Sequence, residues 1–235
     1  MSLGLSDDWL DAEIPVLPGD LPAVINKIID DKIKPRGALG ELEHLAFRLS
    51  LVQGASKPEV RRPTILVFAG DHGIAESGVS AFPRNVTAAM VKAFLAGDAA
   101  INVLSRTAAV ELVIVDAGVA ESLAPHPALV DLKVARGTSN FLHGPAMTMQ
   151  QCRDAMARGA ALVDRVVDGG ASVIGCGEMG IGNSTSAAAI MSLILKLPVA
   201  ECVGRGSGVS DEGLKHKISV IERAQGNYCL LYTSD

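Results

Sequence analysis

The chain has 235 residues and a formal net charge of −5; hydrophobic residues make up 49% of it and aromatic residues only 3%. This length and apolar content suit one large domain, or a domain with a smaller lobe, and exclude a disordered chain. The acidic balance and scarce aromatic rings argue against a nucleic-acid-binding protein. The longest apolar stretch, Ala187 to Leu195, is too short to span a bilayer, so no membrane partner is expected.

The N-terminal sequence and the cysteines favour a cytoplasmic protein. The opening segment MSLGLSDDWLDAEIP is acidic and lacks the apolar core of a signal peptide. The cysteines form no CxxC pair, which gives no indication of a zinc knuckle or a redox dithiol; they are Cys152, Cys176, Cys202 and Cys229. Buried free thiols in a reducing compartment are the simplest interpretation.

Helices and strands are predicted to alternate along the chain. Apolar spacing predicts helices over 20–33, 38–53, 84–106 with a break at Gly97-Asp98, 148–168, 183–196 and 211–224. Short apolar runs predict buried parallel strands over 64–69, 111–116, 171–175 and 199–203. This order is typical of a parallel α/β, Rossmann-like sheet flanked by helices. Ligands of such sheets bind at the carboxyl ends of the strands, so the loops after the strands are the candidate site.

The loop after the third predicted strand is the most informative of these. It reads GCGEMGIGNSTS over 175–186 and joins a strand to a helix. Glycines let backbone amides face a ligand, and Asn183, Ser184 or Thr185 can cap the helix and leave its first amides for a phosphate. We therefore predict a phosphate site; the alternative is a capped turn that binds nothing.

The same loop contains GxGxxG at Gly175, Gly177 and Gly180, which leaves a dinucleotide-binding oxidoreductase as an alternative. That fingerprint also requires an acidic residue at the end of the next strand, whereas Glu201 lies within the fourth predicted strand. The dinucleotide match is therefore weak. No Gly-Lys-Ser/Thr follows, which excludes a nucleoside-triphosphate P-loop.

Two further loops carry charged residues. Arg205, in the glycine loop 204–208, and Lys217, in the helix that follows, can supply positive charge to a phosphate pocket, although either alone is more typical of a solvated surface. After the first strand, Asp71 and His72 can bind polar groups or perform acid–base chemistry; alternatively, Asp71 caps local amides. An Asp-His pair alone does not make a metal site, and none is predicted.

These loops, in this order, resemble the nicotinate-nucleotide–dimethylbenzimidazole phosphoribosyltransferase family of cobalamin biosynthesis. The resemblance covers about residues 10–225 and is carried by KPRGALGELE (34–43), FAGDHG (68–73), GVSAFP (78–83), AAINVL (99–104), DAGV (116–119), ARGT (135–138), GPAM (144–147) and GEMGIGNST (177–185). Each segment alone is weak, and the last is the most specific.

The resemblance implies transfer of phosphoribosyl from nicotinate mononucleotide to 5,6-dimethylbenzimidazole, giving α-ribazole 5′-phosphate and nicotinate. It implies small-molecule substrates, no metal or other cofactor, and a homodimer. The implied organisation is a parallel α/β nucleotide-binding domain over 61–225 and a smaller helical lobe, of which 1–60 forms the N-terminal part.

We expect the candidate site residues to divide into three groups. Phosphate and nucleotide binding is expected of Gly177, Gly180, Ile181, Gly182, Asn183, Ser184, Thr185, Arg205 and Lys217. Base binding is expected of Ser80, Phe82, Met90 and Met179, although either methionine alone is more typical of a core. Catalytic roles are expected of Glu178 and Asp71, because the reaction needs a general base for the azole N–H.

Two departures from the family pattern affect these expectations. Ala89 and Ala93 stand where the common pattern has a glutamine and an asparagine, so a related benzimidazole or another acceptor is open. The family's principal base, a glutamate in a Gly-Glu-Gly segment near the C-terminus, has no counterpart, and residues 226–235 fit nothing in the pattern. We therefore expect a C-terminally truncated chain with a foreign tail, weakly active or inactive, or a non-catalytic nucleotide-binding fragment.

Overall fold

The structure, a computed structural model, describes Val16 and residues 19–229. The chain divides into two compact units, with the boundary between Arg61 and Arg62. The first unit contains helices α1 (Leu21–Asp30) and α2 (Glu41–Gln53), as the apolar spacing predicts. Between them, Lys34 Nζ lies 2.9 Å from Glu43 Oε1. The amide of Leu39 and the neighbouring Lys34 lower the pKa of the Glu43 carboxyl group.

The second unit is built on a parallel sheet, which confirms the predicted α/β class. Its strands are β1 (Thr64–Gly70), β2 (Glu111–Gly118), β3 (Leu129–Asp131) and β4 (Ile174–Met179), in the order β3-β2-β1-β4. Strand β1 is apolar because both of its faces are covered: Val67 and Ala69 pack in one core cluster, and Leu66 packs in another.

Helices cover both faces of this sheet. Helices α3 (Val86–Ala96) and α4 (Ala100–Thr107) pack in the cluster of Val67, and α5 (Met149–Asp168) packs in the cluster of Leu66. Helices α6 (Asn183–Leu195), α7 (Val199–Cys202) and α8 (Asp211–Cys229) pack together in a further cluster, and a 3₁₀ helix spans Gly73–Ser77. The predicted break at Gly97 is confirmed, since this residue ends α3 with a φ of 83°. Helix α8 continues past its predicted end at Ala224 to Cys229. The rest of the predicted foreign tail, residues 230–235, lies outside the described residues, as does the N-terminal segment 1–15.

The predicted strand at 199–203 is wrong, because residues Val199–Cys202 form helix α7. Val199 is buried in a cluster with α6 and α8, and Cys202 packs against the same cluster. These two side chains are three residues apart, a helical spacing that a short apolar run does not distinguish from a strand. Glu201 therefore lies in a helix, which removes the strand that the dinucleotide fingerprint requires.

The third predicted strand is displaced along the chain. It runs over Ile174–Met179 instead of 171–175, because Gly175, Cys176 and Gly177 pair with the central strand β1. The loop thus begins at Gly180, and Gly177 lies inside the sheet opposite Val67. Cys176 is a free thiol, as expected, but it is exposed on β4 and not buried.

One segment, Val86–Thr107, is long and apolar enough to cross a membrane by length and composition alone. Gly97 divides it into α3 and α4. Helix α3 buries Val91 and Phe94 in the core cluster that contains Val67. Such burial is typical of a core helix, and the segment is weak support for a membrane span.

Candidate active site

The carboxyl ends of β1, β2 and β4 meet at one edge of the sheet, as parallel strands require. In the register, Gly70 lies beside Gly118, and Ala69 lies beside Met179. A cavity of about 200 Å³ opens there, with Asp71, His72 and Glu178 among its lining residues. An apolar cavity of about 550 Å³ shares His72, Thr138 and Met147 with it. The predicted catalytic residues are therefore brought together at a real concavity.

Glu178 contacts a histidine across the strand ends. Its Oε1 lies 3.3 Å from Nε2 of His72, and Nδ1 of the same ring lies 3.0 Å from Oγ of Ser186. Phe68, Val134 and Met147 add apolar surface to the cavity that these polar groups line. Glu178 thus places a carboxylate, a group that can act as a general base, beside the apolar residues of the cavity.

Asp71 has its carboxylate turned into the protein, where the side chain is only 4% exposed. Its Oδ2 accepts a 2.7 Å hydrogen bond from the amide of Ala120, in the loop after β2. Its Oδ1 lies 3.6 Å from Nε of Arg84, whose guanidinium also donates to Glu76 Oε1 at 2.9 Å. Both oxygens therefore face protein groups.

The predicted side-chain cap of α6 is wrong. Gly182 is the N-cap, with a φ of 95°, and no side chain caps the helix. This backbone conformation is one that glycine adopts readily and other residues rarely do, so it is Gly182 that turns the chain into the helix. The amide of Ile181 donates to Thr87 Oγ1 at 3.1 Å, and that of Asn183 donates to Gly180 O at 3.0 Å. These two amides are therefore occupied by protein acceptors and do not face a ligand.

Lys217 is buried, with 1% of its surface exposed, between the two glycine loops. Its Nζ donates to Ser184 Oγ at 2.8 Å and to the carbonyl of Gly204 at 3.2 Å. Both acceptors are neutral, and burial lowers the pKa of the ammonium. Among the described residues, no carboxylate forms an ion pair with it. An anion is the ligand that would complete such a site.

Arg205 does not join Lys217. Its guanidinium forms an ion pair with the carboxylate of Asp211, the first residue of α8, and donates to the carbonyl of Val209 at 3.0 Å. Gly206 occupies the position next to the ammonium instead. A Cβ there would lie 3.0 Å from Lys217 Nζ and 2.5 Å from Ser184 Oγ, so only glycine fits without displacing them.

The four expected base-binding residues lie in two places. Ser80 contacts the second glycine loop, with its Oγ 2.9 Å from Ser207 Oγ, and Phe82 nearby is 52% exposed. Met90 and Met179 pack against the core cluster of Val67 and Val91. None of the four lines the 200 Å³ cavity.

Sequence reasoning missed several residues that line this cavity. Thr138 and Met147 lie in the ARGT and GPAM segments, which carried the resemblance without an assigned role. Ser186 lines the larger cavity, and sequence alone assigns it no role beyond the glycine loop, because its contact with His72 joins residues far apart in sequence. Within the described part of the chain, no cluster of three His, Cys, Asp or Glu side chains could hold a metal ion.

Comparison with known proteins identifies the class. A family model described as phosphoribosyltransferase matches residues 14–229. The nicotinate-nucleotide–dimethylbenzimidazole phosphoribosyltransferase of Cupriavidus taiwanensis is 52% identical over 212 residues, which are 90% of this chain and 61% of that protein. The protein of the same name from Dechloromonas aromatica is 47% identical over 216 residues, covering 92% and 62%.

Solved structures agree with these matches. The crystal structure of CobT from Thermus thermophilus superposes with a TM-score of 0.84 at 42% identity, over 88% of this chain and 62% of that chain. The chain therefore belongs to the nicotinate-nucleotide–dimethylbenzimidazole phosphoribosyltransferase family. It spans about three fifths of the length of the curated relatives that it matches.

Proposed function

We propose that the whole protein transfers phosphoribosyl from nicotinate mononucleotide to 5,6-dimethylbenzimidazole or a related base, in the assembly of the cobalamin nucleotide loop. A ring nitrogen of the acceptor attacks C1′ of the ribose, and nicotinate leaves with the electrons of the broken C–N bond. The acceptor's N–H proton passes to a base. The products are α-ribazole 5′-phosphate and nicotinate, the reaction implied by the relatives' name.

The buried ammonium of Lys217 is the single observation that carries this proposal. The only hydrogen-bond partners of this ammonium group among the described residues are the neutral oxygens Ser184 Oγ and Gly204 O. An anion bound beside it would stabilise the buried charge. We assign the 5′-phosphate to this position, with Gly180, Gly182 and Asn183 shaping the loop around it. Gly177, Ile181 and Thr185 support that loop from the strand and from the core, and Arg205 holds the second loop through Asp211.

Glu178 is the proposed group that binds and steers the N–H of the acceptor. Glu178 and Asp71 both line the cavity, but Glu178 contacts a histidine, whereas Asp71 contacts an arginine. Asp71 lines the same cavity, but its oxygens face Ala120 and Arg84. We therefore assign Asp71 an indirect part in catalysis, which is to fix the loops after β1 and β2.

The acceptor base is proposed to lie along Ser80 and Phe82, which adjoin the second glycine loop through Ser207. Met179 lies between Glu178 and Gly180 in the sequence, and it packs against the same apolar cluster as Met90. We propose that the two methionines form the apolar base of the acceptor site. Ala89, exposed on α3, and Ala93 leave room for an acceptor other than dimethylbenzimidazole. We further propose a cytoplasmic homodimer whose smaller lobe includes residues 1–60.

The test is product formation. A chimera that joins this chain to the C-terminal part of the Cupriavidus taiwanensis relative is incubated with nicotinate mononucleotide and a panel of benzimidazoles and phenols, and products are measured by mass spectrometry. We expect α-ribazole 5′-phosphate or its analogue, and a loss of roughly 100-fold in rate in Glu178→Gln. Absence of a phosphoribosylated product with every acceptor would contradict the proposal.

A further inference from the structure

The imidazole of His72 contacts a hydroxyl group through one ring nitrogen and a carboxylate through the other. Nδ1 lies 3.0 Å from the hydroxyl of Ser186, in the first turn of α6, and Nε2 lies 3.3 Å from Oε1 of Glu178, at the end of β4. The ring is only partly exposed, and it lines both cavities at the strand ends. Two separate elements thus converge on one histidine, in the loop after β1, that the proposed reaction has so far not used.

This arrangement fixes where the ring protons lie. An ionised carboxylate only accepts hydrogen bonds, so the nitrogen facing Glu178 must carry a proton. The Ser186 hydroxyl both donates and accepts, so it can donate to Nδ1 of the tautomer whose proton lies on Nε2 and thereby orient the ring. Serine therefore orients the histidine, and the histidine donates toward the carboxylate, as outer partners orient the ligands of other sites.

The glycine loop is shaped to permit this contact. A Cβ at position 180 would lie 2.4 Å from Glu178 Oε1, 2.9 Å from His72 Cδ2 and 2.2 Å from Gly70 O. A Cβ at Gly182 would lie 3.3 Å from His72 Cβ. The glycines that lead into α6 thus also leave the space in which the histidine meets the glutamate.

We propose that His72 is a positioning residue for Glu178, with Ser186 orienting its ring. This inference rests on the proposed phosphoribosyl transfer. The Nε2–H of His72 holds Oε1 of Glu178, which keeps the carboxylate aimed into the cavity. The histidine itself neither binds substrate nor takes the acceptor's proton.

Kinetics of the chimera test the role in turnover. We expect His72→Ala to lower kcat roughly tenfold while KM for nicotinate mononucleotide changes by less than about twofold, because the lost contact is not with the nucleotide. His72→Gln, whose amide can donate to Glu178 and accept from Ser186, should recover part of this loss. Ser186→Ala should lower kcat in the same direction, and Ser186→Thr should restore it. Unchanged kcat in His72→Ala would overturn the proposal.

Nitrogen NMR of the 235-residue chain tests the pairing without an assay. The His72 signals are those lost in His72→Gln, and exposed His143 serves as the reference. We expect Nε2 to be protonated and Ser186→Ala to shift the Nδ1 signal, because that variant removes the hydrogen bond at Nδ1. An unprotonated Nε2 facing Glu178 would overturn the pairing. The two failures are distinguishable, because a chimera without product defeats the proposed function, whereas the spectrum alone decides whether the histidine holds the glutamate.

Discussion

The Nζ of Lys217 lies 2.8 Å from Oγ of Ser184, so the last long helix supplies a cation to the N-terminus of α6. The ammonium is buried, and its second partner is the carbonyl of Gly204. A buried charge that meets only neutral oxygens costs free energy of folding, and this cost is offset when an anion binds. The contact thus links the stability of the protein to phosphate binding.

Replacing Lys217 with methionine should abolish phosphate binding without unfolding the protein. Methionine has a similar length and removes the buried charge, so the free energy of unfolding should rise or fall by no more than about 1 kcal/mol. Titration calorimetry with inorganic phosphate and chemical denaturation measure the two effects. Lys215→Met, on the exposed side of the same helix, is the matched control and should retain binding. Equal phosphate affinity in the two variants would contradict the assignment.

The lowered pKa of Lys217 also predicts a pH dependence. Burial places its pKa below the ordinary value of 10.5 that applies to the unfolded chain. Between these two values the unfolded chain binds more protons, so this group makes the free energy of unfolding rise with pH. The free energy of unfolding of the parent chain should therefore rise relative to that of Lys217→Met as pH increases through that window. Phosphate affinity of the parent should fall over the same range. A difference that is constant with pH would contradict the buried ammonium.

Gly180 should tolerate no side chain. A Cβ at this position would lie 2.2 Å from the carbonyl oxygen of Gly70, a backbone atom of the central strand that cannot easily move away. We expect Gly180→Ala to cost about 1–3 kcal/mol of stability and to weaken phosphate binding. Gly204→Ala is the control, since a Cβ there meets nothing within 4 Å. Thermal unfolding measures the stability of the two variants, and titration calorimetry measures their phosphate affinity. Equal stability and equal affinity would show that the loop is not packed as described.

Asp71 and Glu76 share Arg84, yet only Asp71 is buried. Asp71→Asn should cost about 1–3 kcal/mol, since Ala120 and Arg84 lose a charged partner. Glu76→Gln should cost less than about 1 kcal/mol, because that side chain is 62% exposed. Denaturant unfolding measures both. If Asp71→Asn is as stable as the parent, the carboxylate does not fix the loops and a direct catalytic role is favoured.

The sheet was predictable because its central strand is a continuous apolar run with both faces covered. β1 and β2 follow directly from that signal, and the break at Gly97 follows from glycine chemistry. Strand β3 has only the residues Leu129–Asp131 and gives no such signal. Strand β4 contains Gly175 and Gly177, whose intrinsic preference is against strands, and it forms because β1 supplies its partner.

The candidate site was predictable in its parts but not in its contacts. The glycine loops indicated Ser184 and Lys217 as candidate phosphate ligands, and the family resemblance named Glu178. Local spacing could not show that Ser186 meets His72, or that Arg205 pairs with Asp211 instead of joining the phosphate site. Those contacts depend on how distant segments pack, which no local pattern encodes.

The central claim is that the Lys217 site holds the 5′-phosphate of nicotinate mononucleotide. It is tested most directly by calorimetric titration of the 235-residue chain with nicotinate mononucleotide and with nicotinate riboside, which lacks only the phosphate. We predict that the mononucleotide binds at least roughly tenfold more tightly, and that Lys217→Met removes this difference, as expected for a charge-assisted contact. Equal affinity for the two ligands in the parent chain would contradict the account.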